Sequence, residues 1–420
     1  MKVFKFGGAS VKSAEAVKNL TQIMKGYNEN ILVVVSAMGK TTNALEEIAR
    51  LFFSEKSTAE NYKALKDYHY GIVQELFPDK SNHVYTEMEL VFEELLSVLK
   101  KQPSLSFDFD YDQIVSFGEI ISTRIVAAYL NTSGIKVKFT DIRKYLKTDN
   151  TYREARIDWE LSTGLVRKAF GFSDEKIYVT QGFIGSTINN LSTTLGREGS
   201  DYSAAILAYI LDAESVTIWK DVPGVLNADP KWFDNTVRLE QLSYLDAIEL
   251  SYYGATIIHP KTIKPLQNKN IKLHVKSFLN PHDGGTIIGD LSYESLIPCF
   301  IFKMDQVLIQ ISPLDFSFIA EENLKSIFGY FSRHGVKINL MQNSAISFQV
   351  CVNNDPSRVP NLLNELRKEF KVWYDTGLEL VTIRYYDNST IDRVMVNKQL
   401  VLEQKSTRTI QLVVKDLGDK

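Results

Sequence analysis

Apolar and polar positions along the chain fall into two regimes. Up to about residue 280, short β-rich apolar runs alternate with helical patterns. The runs "KVFKF" (2–6), "NILVVVSAM" (30–38), "IKVKFTD" (135–141), "KIYVTQGFIG" (176–185) and "ESVTIWKDV" (214–222) read as strands. Helices are predicted over "AEAVKNLTQIMKGY" (14–27), "STRIVAAYLNTS" (122–133) and "SDYSAAILAYILDA" (200–213). Strands that alternate with helices imply an α/β fold with a mainly parallel sheet. Between about residues 43 and 110 the pattern is helical, with apolar positions in "ALEEIARLFF" and "MELVFEELLSVLKK" three and four residues apart. This reads as a helical insertion on the α/β core.

The second regime follows "SFLNPHDGGTIIGDLSYESLIPC" (277–299), whose Pro-His-Asp-Gly-Gly cluster marks a boundary. The expected division is a first domain over 1–280, a linker over 281–299 and a second region over 300–420. In that region "QVLIQISPL", "ENLKSIFGYFSRHG", "KINLMQNSAISFQVCVN" and "VPNLLNELRKEF" give the order β-α-β-β-α. Such an order is that of a small α+β ligand-sensing module with one helical face on an antiparallel sheet. After about 377 the chain shows strand patterns without room for a first helix.

Composition narrows the function. The 420 residues are 44% hydrophobic with a net charge of −3 of mixed signs, so no basic field points to nucleic acid or an anionic membrane surface. Cys299 and Cys351 are too few for a disulfide framework and lack zinc-site spacing. No apolar stretch approaches the ~18 residues of a membrane span. These features lead us to expect a cytoplasmic protein acting on small molecules.

Four stretches carry candidate chemistry. In "KFGGASV" (5–11) a strand ends in two glycines, which let the backbone approach an anion, and Lys5 supplies a compact charge. A plain tight turn fits the same residues. In "TTLGREGSDYSAAILAYIL" (193–211), Ser200 or Asp201 suits a helix N-cap, but capping explains neither Arg197 nor Glu198. An arginine in a glycine-bounded loop is suited to hold a carboxylate bidentately. In "WKDVPGVLNADPK" (219–231), Asp221 stands at a strand's carboxyl end, where open α/β sheets bind ligands, while Asp229 suits a turn. In "SFGEIISTRI" (116–125), Glu119 opens an apolar helix, a position that also favours the helix dipole.

Together with "SAMGKTTN", "QGFIGS" and "YGATIIHPKT", these stretches resemble, in order and spacing, the aspartate kinases of the amino acid kinase family. The resemblance implies a three-layer sandwich with a mainly parallel sheet and helical insertion, followed by paired α+β ACT modules over about 305–376 and, abbreviated, 377–420. It implies ATP-dependent phosphorylation of the β-carboxylate of L-aspartate, with Mg²⁺ on the nucleotide, in a homodimer or higher homo-oligomer formed through the ACT modules. Lys5 and Asp201 become catalytic. Lys5, Gly7, Gly8, Ser10, Lys220, Asp221 and Lys231 become contacts to ATP and its phosphates. Thr42, Glu119, Arg197 and Ser200 become aspartate contacts, with Glu119 receiving the ammonium and Arg197 the α-carboxylate. His259 is read as a packed loop histidine. A kinase for another acidic amino acid and a catalytically silent amino-acid sensor are the competing readings.

The chain departs from the family pattern at several points. Glu198 replaces a glycine, Lys220 stands where threonine is common, Leu226 where an aromatic is frequent, Lys231 for an arginine and Thr256 for a nucleotide-contacting lysine. In the effector region Phe318, Ile319 and Ser344 match lysine-sensitive relatives. Asn339 and Ala345 replace two acids there, so weak or absent lysine inhibition is expected.

Overall fold

The computed structural model describes residues 1–418 apart from positions 234, 256–257, 293–295 and 316. The chain forms two compact units. The first is Met1–Val225, Arg238–Ile248 and Ile257–Ser292; the second is Leu226–Val237, Glu249–Thr256 and Tyr293–Lys420.

In the first unit the strands are β1 (Lys2–Phe6), β2 (Ile31–Val35), β3 (Lys138–Phe139), β4 (Ile177–Gln181), β5 (Ile184–Ser186), β6 (Ser192–Thr194), β7 (Ser215–Lys220), β8 (Gln241–Ser243), β9 (Lys272–Ser277) and β10 (Thr286–Gly289). Eight of them form one sheet in the order β3-β4-β2-β1-β7-β9-β10-β8, parallel except for the β9–β10 pair. Every residue of β2 and β4 is buried, so helices cover both sheet faces there, as three layers require. The helices are α1 (Ala14–Lys25), α2 (Thr41–Phe53), α3 (Ala59–Leu76), α4 (His83–Leu99), α5 (Phe107–Val115), α6 (Phe117–Thr132), α7 (Trp159–Ala169), α8 (Gly199–Ile210), α9 (Tyr244–Tyr253) and α10 (Pro260–Asn268), with the last residues of α9 counted in the second unit. Helices α2 to α5 are the expected insertion. Local chemistry starts its last two helices, since Asn82 and Ser106 accept backbone N–H groups at the starts of α4 and α5.

Two sequence expectations change here. The single strand read over 176–185 breaks into β4 and β5 at Phe183, which takes the left-handed φ of 66°. The expected linker contains β10, which pairs with both β8 and β9. Strands of three and four residues beside a Gly-Gly turn offer too little periodicity to be recognised.

The second unit holds a six-stranded antiparallel sheet in the order β12-β13-β11-β14-β16-β15. Its strands are β11 (Cys299–Pro313), β12 (Ile338–Asn343), β13 (Phe348–Asn353), β14 (Phe370–Arg384), β15 (Lys398–Lys405) and β16 (Thr409–Asp416). Helices α11 (Glu321–Arg333) and α12 (Val359–Leu366) complete the β-α-β-β-α order, burying Ile327, Phe331, Leu362 and Leu366 against Val307, Ile309 and Val350. The later half does contain a helix, α13 (Asn388–Val394), where the sequence had none. Its seven residues are too few for a hydrophobic stripe, and what starts them is a capping box between Asp387 and Thr390. Ala228 and Phe233, distant in sequence, join the core of this half, where Phe233 stacks on Phe300 with centroids 4.3 Å apart.

Candidate active site

At the carboxyl ends of β1, β2 and β7 the first unit opens into a cleft of about 870 Å³. Of the residues singled out from sequence, Lys5, Gly8, Thr42, Glu119, Arg197, Ser200, Asp201 and Lys220 line it. Gly7 and Ser10 lie behind it in the turn. Gly7 enters a short 3-10 helix (Gly8–Val11) in extended conformation, and Ser10 Oγ donates to the Trp219 carbonyl at 3.3 Å, tying the turn to the end of β7. Gly8 is needed for close approach, because a Cβ there would stand 2.9 Å from the Ala37 carbonyl oxygen.

One end of the cleft is built on Asp201. Its carboxylate is buried, with Lys5 Nζ at 2.6 Å from Oδ1 and Lys220 Nζ at 3.5 Å from Oδ2. Burial pushes the Asp201 carboxyl up, but the two ammonium groups outweigh it and hold the group below its ordinary range. This corrects the capping expectation. Helix α8 is capped by Glu198 without a side-chain cap bond, so Ser200 and Asp201 lie inside its first turn. Asp201 is thereby aimed across the cleft at Lys5. Gly182 makes room for this turn, since a Cβ on it would come within 2.7 Å of Ser200 Cβ.

The other end centres on Glu119, in the first turn of α6 and almost wholly buried. Its Oε1 accepts the Ala37 backbone N–H at 3.2 Å, while Oε2 has no hydrogen-bond partner among the described residues. Burial raises this carboxyl to about 8, against the lowering effect of the Ala37 N–H and the Lys5 charge. A buried carboxylate oxygen without a partner is costly unless a ligand cation answers it. Arg197 is exposed on the cleft rim, with no ion-pair partner among the described residues. Half-buried Thr42 follows Thr41, whose hydroxyl lies 3.2 Å from Nε2 of buried His69 on α3. Burial holds His69 down at about 4, so its ring is neutral near pH 7.

Asp221 is exposed and off the cleft wall, Lys231 falls in the second unit, and Thr256 lies outside the described residues. Sequence reading also passed over contributors. Tyr111 and Arg153 line the cleft, with the Arg153 guanidinium 4.6 Å from the Tyr111 ring centroid. Beneath them Asp112, pushed up to about 7 by burial, accepts from Arg153 N, Thr194 N and Thr194 Oγ1 at 3.0, 2.8 and 2.7 Å. The available signal was phase: Asp112 falls on the buried side of α5 with Tyr111, Ile114 and Val115.

The glycine turn after β1, the Lys5–Asp201 pair and Arg197, which has no ion-pair partner among the described residues, thus come from separate sequence motifs to one cleft. Residues 1–277 match the amino acid kinase family. The chain belongs to that family. Within it, similarity extends past the kinase portion to aspartokinases. The chain is 29% identical to Lysine-sensitive aspartokinase 3 of Escherichia coli (strain K12), over 91% of this chain and 86% of that one. It is 31% identical to Aspartokinase 1, chloroplastic, of Arabidopsis thaliana, over 85% of this chain but 64% of the plant protein. Among solved structures, E. coli aspartokinase III in complex with aspartate and ADP matches with a TM-score of 0.81 at 26% identity, covering 99% of this chain and 96% of that one. This amino acid kinase thus shares its fold over both units with an enzyme seen holding an amino acid and a nucleotide.

Proposed function

We propose that this amino acid kinase is an aspartate kinase, which transfers the γ-phosphoryl group of ATP to the β-carboxylate of L-aspartate to give 4-phospho-L-aspartate. The observation that carries this reading is the unpartnered Oε2 of Glu119 in the same cleft as the Lys5–Asp201 pair. That oxygen suits an amino group, and Arg197 suits the α-carboxylate of the same substrate. The β-carboxylate then points towards Lys5.

The chemistry asks for placement rather than a general base. A free β-carboxylate titrates near ~4 and is already ionised at neutral pH. The barrier lies in bringing two anions into line and stabilising the charge of the transferring group. Lys5 and Lys220 supply positive charge, the start of α8 adds its positive dipole end, and Asp201 keeps both lysines in place. Mg²⁺ supplies charge neutralisation on the nucleotide phosphates when bound. Asp201, the buried carboxylate beside both lysines, would organise the magnesium-bound phosphates.

Supporting this reading, the aspartokinase relatives match beyond the kinase unit. The β-α-β-β-α half of the second unit has the element order of a ligand-sensing ACT module, and such modules pair between chains. We therefore expect a homodimer, checked by sedimentation, and a cytoplasmic location, where both substrates are found. No helix among the described residues is long and apolar enough to cross a membrane. The deciding experiment incubates the protein with ATP, Mg²⁺ and each of aspartate, glutamate and acetylglutamate, and traps acyl phosphate with hydroxylamine. Hydroxamate from aspartate alone supports the proposal; none from any of them, with amino-acid binding retained, would make the protein a sensor.

A further inference from the structure

Glu198 adopts a backbone conformation that a glutamate rarely takes. It caps α8 at φ 54° and ψ 27°, in the left-handed region where a side chain is disfavoured. Its carbonyl opens the helix, accepting from Asp201 N at 3.1 Å and Tyr202 N at 3.2 Å. Its side chain is engaged elsewhere. Oε2 accepts the backbone N–H of His259 at 3.0 Å, across 61 positions of sequence. His259 is the N-cap of α10, its Nδ1 accepting the Lys261 N–H at 3.2 Å ahead of Pro260 in the first turn. Glu198 therefore joins the starts of two helices that pack on each other, and its carboxylate sits where both present positive dipole ends.

Glu198 and the residues on either side of it line the cleft. Arg197 precedes it, and Ser200 and Asp201 follow within the turn that its carbonyl begins. Arg197 is exposed and unpaired among the described residues, so its placement depends on the backbone that carries it. The loop is entered through Gly196, at φ 77°, and closed by the Gly199 N–H donating to the Gly196 carbonyl at 3.0 Å, which leaves the Arg197 side chain itself unheld among the described residues.

We propose that Glu198 is a positioning residue: by tying the N-terminus of α8 to that of α10 it holds Arg197 in place to receive the α-carboxylate before substrate arrives. The kinetic part of this proposal rests on the aspartate kinase reading; the tie itself does not. The substitutions Glu198→Ala, Glu198→Gly and Glu198→Gln separate the contributions. Alanine removes the acceptor, glycine removes it while relieving the left-handed strain, and glutamine keeps an oxygen that accepts from His259 without the charge.

The measurements are hydroxamate kinetics with aspartate varied, and hydrogen–deuterium exchange of the peptide carrying the His259 N–H. Expected for both Glu198→Ala and Glu198→Gly are a KM for aspartate at least fivefold higher, a kcat within about twofold, and faster exchange at His259. Glu198→Gln should return both readouts to near the parent values. Unchanged exchange in Glu198→Gly would overturn the tie, and faster exchange with an unchanged KM would overturn the positioning role. If the parent protein forms no acyl phosphate, the kinase reading fails, while the exchange data still decide whether Glu198 joins the two helices.

Discussion

Lys5 on β1 and Asp201 on α8 face each other across the cleft with Nζ and Oδ1 2.6 Å apart, both largely shielded from solvent. Neither charge is tolerable there alone, because an isolated buried ion is strongly disfavoured. Lys220 adds a second ammonium at 3.5 Å from Asp201, and both lysines line the cleft. Two ammonium groups held side by side on one cleft wall suit an anionic ligand.

Removing the carboxylate should release the two lysines from their fixed positions. Asp201→Asn is expected to lower kcat by on the order of 10²-fold or more, the scale of losing one preorganised electrostatic contact, with little change in KM for aspartate. Lys5→Ala should do the same. Steady-state kinetics with circular-dichroism melts on the same samples check this; a large KM effect with unchanged kcat would place the pair in aspartate binding instead.

Glu119 gives a pH prediction of definite sign. With its carboxyl raised to about 8, it is largely protonated in the empty cleft at neutral pH, yet it must be ionised to receive an ammonium. Aspartate binding therefore releases a proton, and KM for aspartate should fall as pH rises from 6.5 towards 8.5. Glu119→Gln should raise KM and flatten that dependence. The same shift acts on stability. Between its ordinary value of 4.5 and about 8, the folded protein keeps a proton that the unfolded chain has lost, so this group's contribution to stability declines as pH rises through that window. The Tm of Glu119→Gln should exceed the parent's at pH 8 and approach it at pH 5, as read by differential scanning fluorimetry.

Arg197→Ala should weaken aspartate use with a smaller effect on turnover. A charge-assisted contact contributes about 1.5–3 kcal/mol, corresponding to a rise in KM of roughly 10- to 150-fold. Since Arg197 has no ion-pair partner among the described residues, the change should leave the Tm within a degree or so. An aspartate dependence equal to that of the parent would remove Arg197 from the substrate contacts.

In the second unit Asn339 has little left to offer an effector. Its Nδ2 donates to Gln306 Oε1 and Asn353 Oδ1, both at 2.8 Å, and its Oδ1 accepts from Lys303 Nζ at 2.8 Å. Phe318 is exposed, Ile319 is buried with its N–H donating to the Ala345 carbonyl, and Ser344 bonds to Ser347. Activity is expected to persist in lysine at submillimolar concentration. A titration of lysine, threonine and methionine into the hydroxamate assay tests this, and strong inhibition by lysine would contradict it.

Periodicity and turn chemistry were enough to read the first five strands of the core sheet, the helical insertion and the β-α-β-β-α half of the second unit, because each rests on local alternation that burial then exploits. Lys5, Glu119, Arg197 and Asp201 were singled out by motifs whose order and spacing resemble the family, and the fold brings all four to one cleft. What sequence could not decide lies in contacts between distant positions. Asp112 is an unremarkable acid in an acidic, aromatic run until folding places Arg153 and Thr194 on its two oxygens. Residues 226–237 and 249–256 read as part of the first domain, yet they group with the second unit, where Ala228 and Phe233 join a core with Phe300. Glu198 was an anomaly in one dimension and has a partner in three, since only the packed helices bring the His259 N–H to its carboxylate. Local pattern is written in residues a few positions apart, whereas hydrogen-bond satisfaction of buried and capping groups is settled by whichever distant backbone the fold delivers.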